Sequence, residues 1–76
     1  MIVDERNWSV TKTGKALGKI DAEFSYRASV DGVELQAEIR VTGSQLAQYG
    51  EPALVGWCRR HSDLLNRNSV VYAELS

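Results

Sequence analysis

The sequence contains one cysteine, one proline and no long run of apolar residues. A single cysteine cannot form an intramolecular disulfide or a cysteine-cluster zinc site, and it is typical of a protein from a reducing compartment. No stretch approaches the roughly 18 apolar residues that a membrane-spanning helix needs. The charged start at residues 1–6 also lacks the apolar stretch of a signal peptide. These absences predict a soluble cytoplasmic protein that has no membrane partner.

The sequence also has no large excess of charged side chains of one sign. Nine basic and ten acidic side chains give a net charge of −1, so bulk charge indicates neither a nucleic-acid nor a membrane partner. We expect residues 1–76 to form one small domain, with residues 1–7 as a flexible arm. A chain this short buries only about 60–65% of the surface that its unfolded form exposes. A second copy or a partner is therefore expected to add stability.

The strongest pattern is an alternation of apolar and polar residues from Ile20 to Val41, interrupted by Asp31-Gly32. Side chains on a strand point to opposite faces at period two, so this pattern predicts a β-hairpin with one apolar and one polar face. Asp-Gly supplies the positive φ angles of a tight type I′ turn. The cross-strand pairs predicted for a two-residue turn are Val30 with Val33, Ala28 with Leu35, Tyr26 with Ala37, Phe24 with Ile39, and Glu23 with Arg40.

Weaker signals surround the hairpin. Alternation predicts a short first strand at about 7–13, followed by a basic, glycine-containing loop from Lys12 to Lys19. Ser44 is the predicted N-cap of a short helical turn at 45–49, which Gly50 ends. Pro52 suits the first turn of a longer helix that ends at 66–68, and residues 70–75 read as a last strand. The apolar stripe predicted on that helix comprises Leu54, Trp57, Cys58, His61, Leu64 and Leu65.

Together these elements predict an α+β fold. It is a two-layer sandwich in the order β-β-β-α-β, with an antiparallel sheet of three to four strands and one main helix packed on one face. The last strand fits beside the third strand, through a right-handed crossover, or beside the first. In either arrangement the polar, mostly acidic face of the sheet remains open.

Three arrangements approach a catalytic or ligand site without meeting its requirements. The segment Gly14–Lys19 has three residues between its glycines, where a phosphate-binding loop has four. Cys58 and His61 lie three apart on the stripe that we expect to be buried, with no third group to orient them and too few ligands for a metal. Carboxylates on a flat sheet lack the cleft that acid–base catalysis needs. We therefore expect a protein that is not an enzyme and has no cofactor or metal.

A flat, acidic face suits docking onto a basic protein surface, because charge complementarity steers association. The phase of the last strand points Tyr72 toward the same face, and aromatic residues are favoured at interface centres. We expect a protein–protein interaction module, either an adaptor or an inhibitor of the kind that phages encode. The residues predicted to contact the partner are Glu23, Arg27, Glu34, Gln36, Glu38 and Tyr72.

The alternative hypothesis is a nucleic-acid-binding module that uses Arg59, Arg60 and Arg67. Arg60 and Arg67 lie seven apart and would face the same way on a continuous helix. No aromatic stacking residues lie among them, which makes this the weaker hypothesis. If the last strand is an uncovered sheet edge, pairing with a second copy would give a homodimer.

Overall fold

The computed structural model of the chain describes residues 7–17 and 21–76. These residues form the strands β1 (Trp8–Leu17), β2 (Ala22–Val30), β3 (Val33–Thr42) and β4 (Val70–Tyr72), and the helices α1 (Gly43–Tyr49), α2 (Glu51–Arg60) and α3 (Ser62–Arg67). The predicted arm, apart from Asn7, and the last residues of the predicted loop lie outside the described residues.

The strands form one sheet in the order β1-β2-β3-β4. β1 and β3 pair antiparallel with β2, whereas β4 runs parallel to β3. The predicted α+β class and the order β-β-β-α-β are confirmed. The sequence allowed two positions for the last strand, and in the structure this strand lies beside the third strand.

The helices cover one face of the sheet. The hydrophobic core lies between the two layers, and the alternation of the hairpin correctly predicts most of its core residues. Val33, predicted on the apolar face, is instead 65% exposed beside the turn. Cys58 is completely buried there, so its predicted role in packing is confirmed. The buried core residues are Tyr26, Ala28, Ala37, Ile39, Val41, Leu54, Trp57, Cys58, Leu65, Val71, Ala73 and Leu75.

β1 is longer than predicted, because the basic segment 12–17 is a strand and not a loop. It continues to pair with β2 beyond an irregularity between Lys12 and Gly14, with Lys15 opposite Phe24. Glycine and lysine are weak strand formers, but pairing with a neighbouring strand overrides such preferences. The two lysines therefore occupy fixed positions at the edge of the sheet.

The hairpin turn is confirmed, with positive φ angles of 54° at Asp31 and 80° at Gly32. The pairing of Val30 with Val33 is also as predicted. Further along, an irregularity places one residue of β2, Ala28, opposite the three residues 35–37 of β3. The predicted partners of Tyr26, Phe24 and Glu23 are therefore wrong; Tyr26 lies opposite Ile39, Phe24 opposite Val41 and Glu23 opposite Thr42.

The helix that follows β3 begins two residues earlier than predicted. The N-cap of α1 is Thr42, whose hydroxyl accepts a hydrogen bond of 3.3 Å from the Gln45 amide. Ser44, the predicted N-cap, instead donates from its amide and its hydroxyl to the Asp21 carboxylate, at 3.1 and 2.5 Å. Gly50, with φ of 86°, ends α1 as predicted.

The predicted long helix is divided at His61, which has φ of −121° and ψ of 33° and separates α2 from α3. The His61 ring stacks on the Trp57 ring, with 4.3 Å between centroids, and its Nδ1 lies 2.9 Å from the Trp57 carbonyl oxygen. Of the two leucines of α3 that were predicted in the buried stripe, Leu65 is completely buried, whereas Leu64 is 38% exposed. None of the described helices is long and apolar enough to cross a membrane.

Candidate functional site

The sheet face that points away from the helices is polar, and we call it the open face. The strand register arranges its side chains in rows. One row is Thr11, Arg27, Glu38 and Val70, and the next is Gly14, Ser25, Arg40 and Tyr72. Glu23 lies opposite Thr42, and Glu34 lies opposite Ser29, nearer the hairpin turn.

Four of these side chains, Ser25, Glu38, Arg40 and Tyr72, form a connected network that we call the Arg40 cluster. Ser25 Oγ donates a 3.0 Å hydrogen bond to Glu38 Oε2, and Arg40 Nε donates a 2.9 Å bond to the same oxygen. Arg40 Nη1 also donates to the Tyr72 hydroxyl at 3.4 Å, and the guanidinium carbon lies 6.0 Å from the centroid of the Tyr72 ring. The cluster therefore links β2, β3 and β4.

Hydrogen bonding favours the charged forms of both ions in the cluster. The pKa of Glu38 is lowered by the hydrogen bonds from Arg40 and then Ser25. The pKa of Arg40 is raised by its hydrogen bonds to Glu38 and then Tyr72. The pair is partly exposed, and exposed pairs add little to stability. Its main structural effect is to hold Arg40 beside Tyr72.

Tyr72 is 61% exposed, whereas its chain neighbours Val71 and Ala73 are buried. Its predicted orientation toward the open face is therefore confirmed. Val70, also on β4, is 42% exposed and lies opposite Glu38. Val70 and the ring of Tyr72 therefore form an apolar margin of the open face along β4.

The other predicted contact residues do not join this cluster. Glu23 and Glu34 form no hydrogen bond or ion pair with any residue in the described ranges. The Arg27 guanidinium donates to two backbone oxygens of the β3 irregularity, those of Leu35, at 3.5 Å, and Gln36. Arg27 and Gln36 thus have a structural role in the hairpin.

Ser25 and Arg40 belong to the site but were not among the predicted contact residues. The alternation correctly places both on the polar face. The predicted register places Ser25 opposite Glu38, but it pairs Arg40 with Glu23 and so misses the position of Arg40 between Ser25 and Tyr72. Locating the β3 irregularity would have been needed to find this cluster.

The three arginines of the alternative site, Arg59, Arg60 and Arg67, are all exposed, but they lie in the helical layer on two different helices. The division at His61 removes the argument that Arg60 and Arg67 share a face of one continuous helix. The Arg67 side chain turns back on α3, where its Nε donates to the Asp63 carbonyl oxygen at 3.4 Å. The structure adds no observation in favour of this site.

Cys58 is held in the core by packing, whereas His61 is partly buried and held by local contacts. Burial raises the pKa of the Cys58 thiol to about 12, so the side chain is a neutral thiol at physiological pH. The His61 ring is held by Trp57, as described above. Across residues 7–17 and 21–76, no group of three or more His, Cys, Asp or Glu side chains is arranged to hold a metal ion.

Comparison with known proteins gives no match to a family model, a curated protein or a solved structure.

Proposed function

We propose that this protein is a non-enzymatic interaction module of the cytoplasm that binds a basic protein surface through the open face, with Tyr72 as its aromatic anchor. The observation that carries the proposal is the position of Tyr72. It is an exposed aromatic residue on a regular strand, next to the Arg40 guanidinium. That guanidinium is held by the Glu38 carboxylate, which also accepts a hydrogen bond from the Ser25 hydroxyl.

Restricted motion makes this tyrosine a better anchor than an isolated one on a loop. A side chain that already occupies its bound conformation loses less entropy on association. Tyrosine and arginine are also enriched among the few residues that contribute most of the energy of protein interfaces. Tyr72 and Arg40 supply both residue types at adjacent positions of neighbouring strands.

The charges of the open face favour a basic partner. Arg40 is neutralised by Glu38, and Arg27 is directed to backbone oxygens within its own hairpin. Glu23 and Glu34 carry no such partner among the described residues, so two carboxylates remain for contact with another molecule. Complementary charge accelerates encounter and excludes wrong partners, which suits an adaptor or an inhibitor.

The proposal is tested by capture from a nuclease-treated lysate with the tagged full chain and matched variants. One variant is Tyr72→Ala and another combines Glu23→Lys with Glu34→Lys, two residues that lack structural partners. Asp63→Lys, an exposed reversal on α3, is the control for charge alone. A fourth variant combines Arg59→Glu with Arg60→Glu and tests the nucleic-acid alternative.

Binding of one protein by the native chain, the control and the arginine variant, together with its loss in the Tyr72 and glutamate variants, would support the proposal. Purified partner should then bind with about tenfold lower affinity when Tyr72 is truncated, as at other aromatic anchors. Retention of the same partner by the Tyr72 and glutamate variants would refute it. Recovery of nucleic acid from a parallel lysate without nuclease treatment, dependent on Arg59 and Arg60, would establish the alternative.

A further inference from the structure

We propose that the outer edge of β1 binds an extended, acidic segment of a partner protein as an additional strand of the sheet. In this arrangement an apolar side chain of the segment lies beside Val10, and a carboxylate two residues away on the same side approaches Lys12 and Lys15. This surface lies at the opposite edge of the sheet from Tyr72. The proposal is therefore independent of binding through the open face.

The first argument is the length of the free edge. β1 has ten residues and is the first strand of the sheet, and within the described part of the chain it pairs with β2 alone. The other edge strand, β4, has only three residues. A long strand with one unpaired side presents a row of backbone donors and acceptors that another chain can use.

The second argument is a shallow, open hollow of about 480 Å³ that lies between β1 and the start of α2. Trp8 and Val10 line it from the strand, and Pro52 and Val55 line it from the helix. Glu51 is also at its wall, where its carboxylate accepts a hydrogen bond from Tyr26. In strand addition, backbone hydrogen bonds supply affinity while such pockets select alternate side chains. This hollow therefore selects an apolar side chain beside Val10.

The third argument is charge further along the same strand. Lys12 and Lys15 lie opposite Tyr26 and Phe24, which places them on the same side of the sheet as Val10. Their ammonium groups lie 4.6 and 5.7 Å from the centroid of the Phe24 ring. Both lysines are exposed, and neither forms an ion pair or a hydrogen bond with a described residue. Two cations that have no ion-pair partner among the described residues favour a carboxylate on the incoming strand.

The same charges argue against a second copy of this chain as the occupant. β1 contains two lysines and no acidic residue. Antiparallel pairing of two β1 strands would bring the lysines of both copies together, and like charges on paired strands are destabilising. Lysines on an edge strand are also a common protection against self-pairing. An acidic segment from another protein would place an apolar side chain in the hollow and a carboxylate beside the two lysines.

The test is selection of linear heptapeptides from a random phage-displayed library on the immobilised full chain. We expect enrichment of an apolar residue and Asp or Glu at a spacing of two. Combining Lys12→Glu with Lys15→Glu should weaken binding of the enriched peptide by about tenfold, since two exposed ion pairs are lost. Selection on this variant should favour Lys or Arg at the acidic position. Arg59→Glu combined with Arg60→Glu is the matched control and should bind the original peptide unchanged.

Hydrogen exchange of the unmodified protein gives a second readout that does not depend on a variant. The enriched peptide should slow exchange of β1 amides that do not bond to β2, while the amides of α3 remain unchanged. Failure to enrich any peptide, or protection located away from β1, would overturn the proposal. It would also be overturned if sedimentation detected a dimer that dissociates on Val10→Asp, because the second copy would then occupy the edge.

Discussion

The hydroxyl of Tyr26, on β2, donates a 2.7 Å hydrogen bond to the carboxylate of Glu51, the first residue of α2. The tyrosine is 1% exposed, so its ring lies in the core while its only polar side-chain atom reaches the edge of the helical layer. The bond fixes the start of α2 over the sheet. It thereby also fixes one wall of the hollow beside β1.

Replacing Tyr26 by phenylalanine should lower the free energy of unfolding by about 1.5 kcal/mol, because a hydrogen bond to a charged acceptor is lost while the ring remains. Urea denaturation of the native and variant chains measures this change. Tyr49→Phe, at a more exposed tyrosine on α1, is the matched control and should change stability by less than about 0.5 kcal/mol. Equal effects of the two substitutions would contradict a structural role for the bond.

Stability should also fall in alkaline solution. The pKa of Tyr26 is raised from 10.0 to about 12, first by burial and then by the hydrogen bond to Glu51, and burial raises the pKa of Cys58 from 9.0 to about 12. Between these values the folded chain binds more protons than the unfolded chain, so unfolding becomes easier as pH rises. Urea midpoints measured from pH 8 to pH 11 should decline. The decline should begin later in Cys58→Ala and be smaller above pH 10 in Tyr26→Phe.

The sheet face to which each hairpin side chain points was predictable, because period-two alternation indicates directly which side of a strand is buried. The register beyond Ser29 was not predictable. No glycine or proline marks the irregularity at residues 35–37, and its backbone oxygens are bonded by Arg27, from the neighbouring strand. Such a contact between strands leaves no local signal in the sequence.

The same limit applies to the helical layer and to the site. Helical spacing correctly identified Leu54, Trp57 and Cys58 as buried. It could not reveal that the His61 ring stacks on Trp57 where the helix breaks. The orientation of Tyr72 was predictable because apolar residues flank it in the sequence. Its link to Ser25 through Arg40 was not predictable, because it depends on the strand register of the folded sheet.

Arg27→Met should destabilise the hairpin by about 1 kcal/mol, since the aliphatic stem is retained while the donors to the Leu35 and Gln36 oxygens are lost. Amide chemical shifts should change most at residues 35–37. Arg60→Met, on the exposed side of α2, provides the comparison and should leave both stability and the hairpin spectrum nearly unchanged. A shift pattern spread evenly over the sheet would argue against this specific role of Arg27.

Acid should destabilise the fold through two surface carboxylates. The hydroxyl and amide of Ser44 lower the pKa of Asp21, and Arg40 and Ser25 lower the pKa of Glu38. The unfolded chain therefore takes up protons first, and stability is lost as pH falls through the ordinary carboxylate range to the lowered folded values. Asp21→Asn combined with Glu38→Gln should flatten the dependence of urea midpoints on pH below pH 5. Ser44→Ala should weaken it partly, whereas Ser69→Ala, at an exposed serine whose hydroxyl makes no described bond, should not.

Arg40→Met tests whether Tyr72 is held in place or merely exposed. The substitution removes both the 2.9 Å bond to Glu38 and the 3.4 Å bond to the Tyr72 hydroxyl while retaining much of the aliphatic stem. NMR relaxation of the Tyr72 ring should show a lower order parameter in this variant, because the ring has lost its neighbour on β3. Arg59→Met is the control, since Arg59 lies on α2 in the other layer. If the ring is equally ordered in both variants, its packing on β4 suffices to position it, and the Arg40 cluster does not prepare the face for binding.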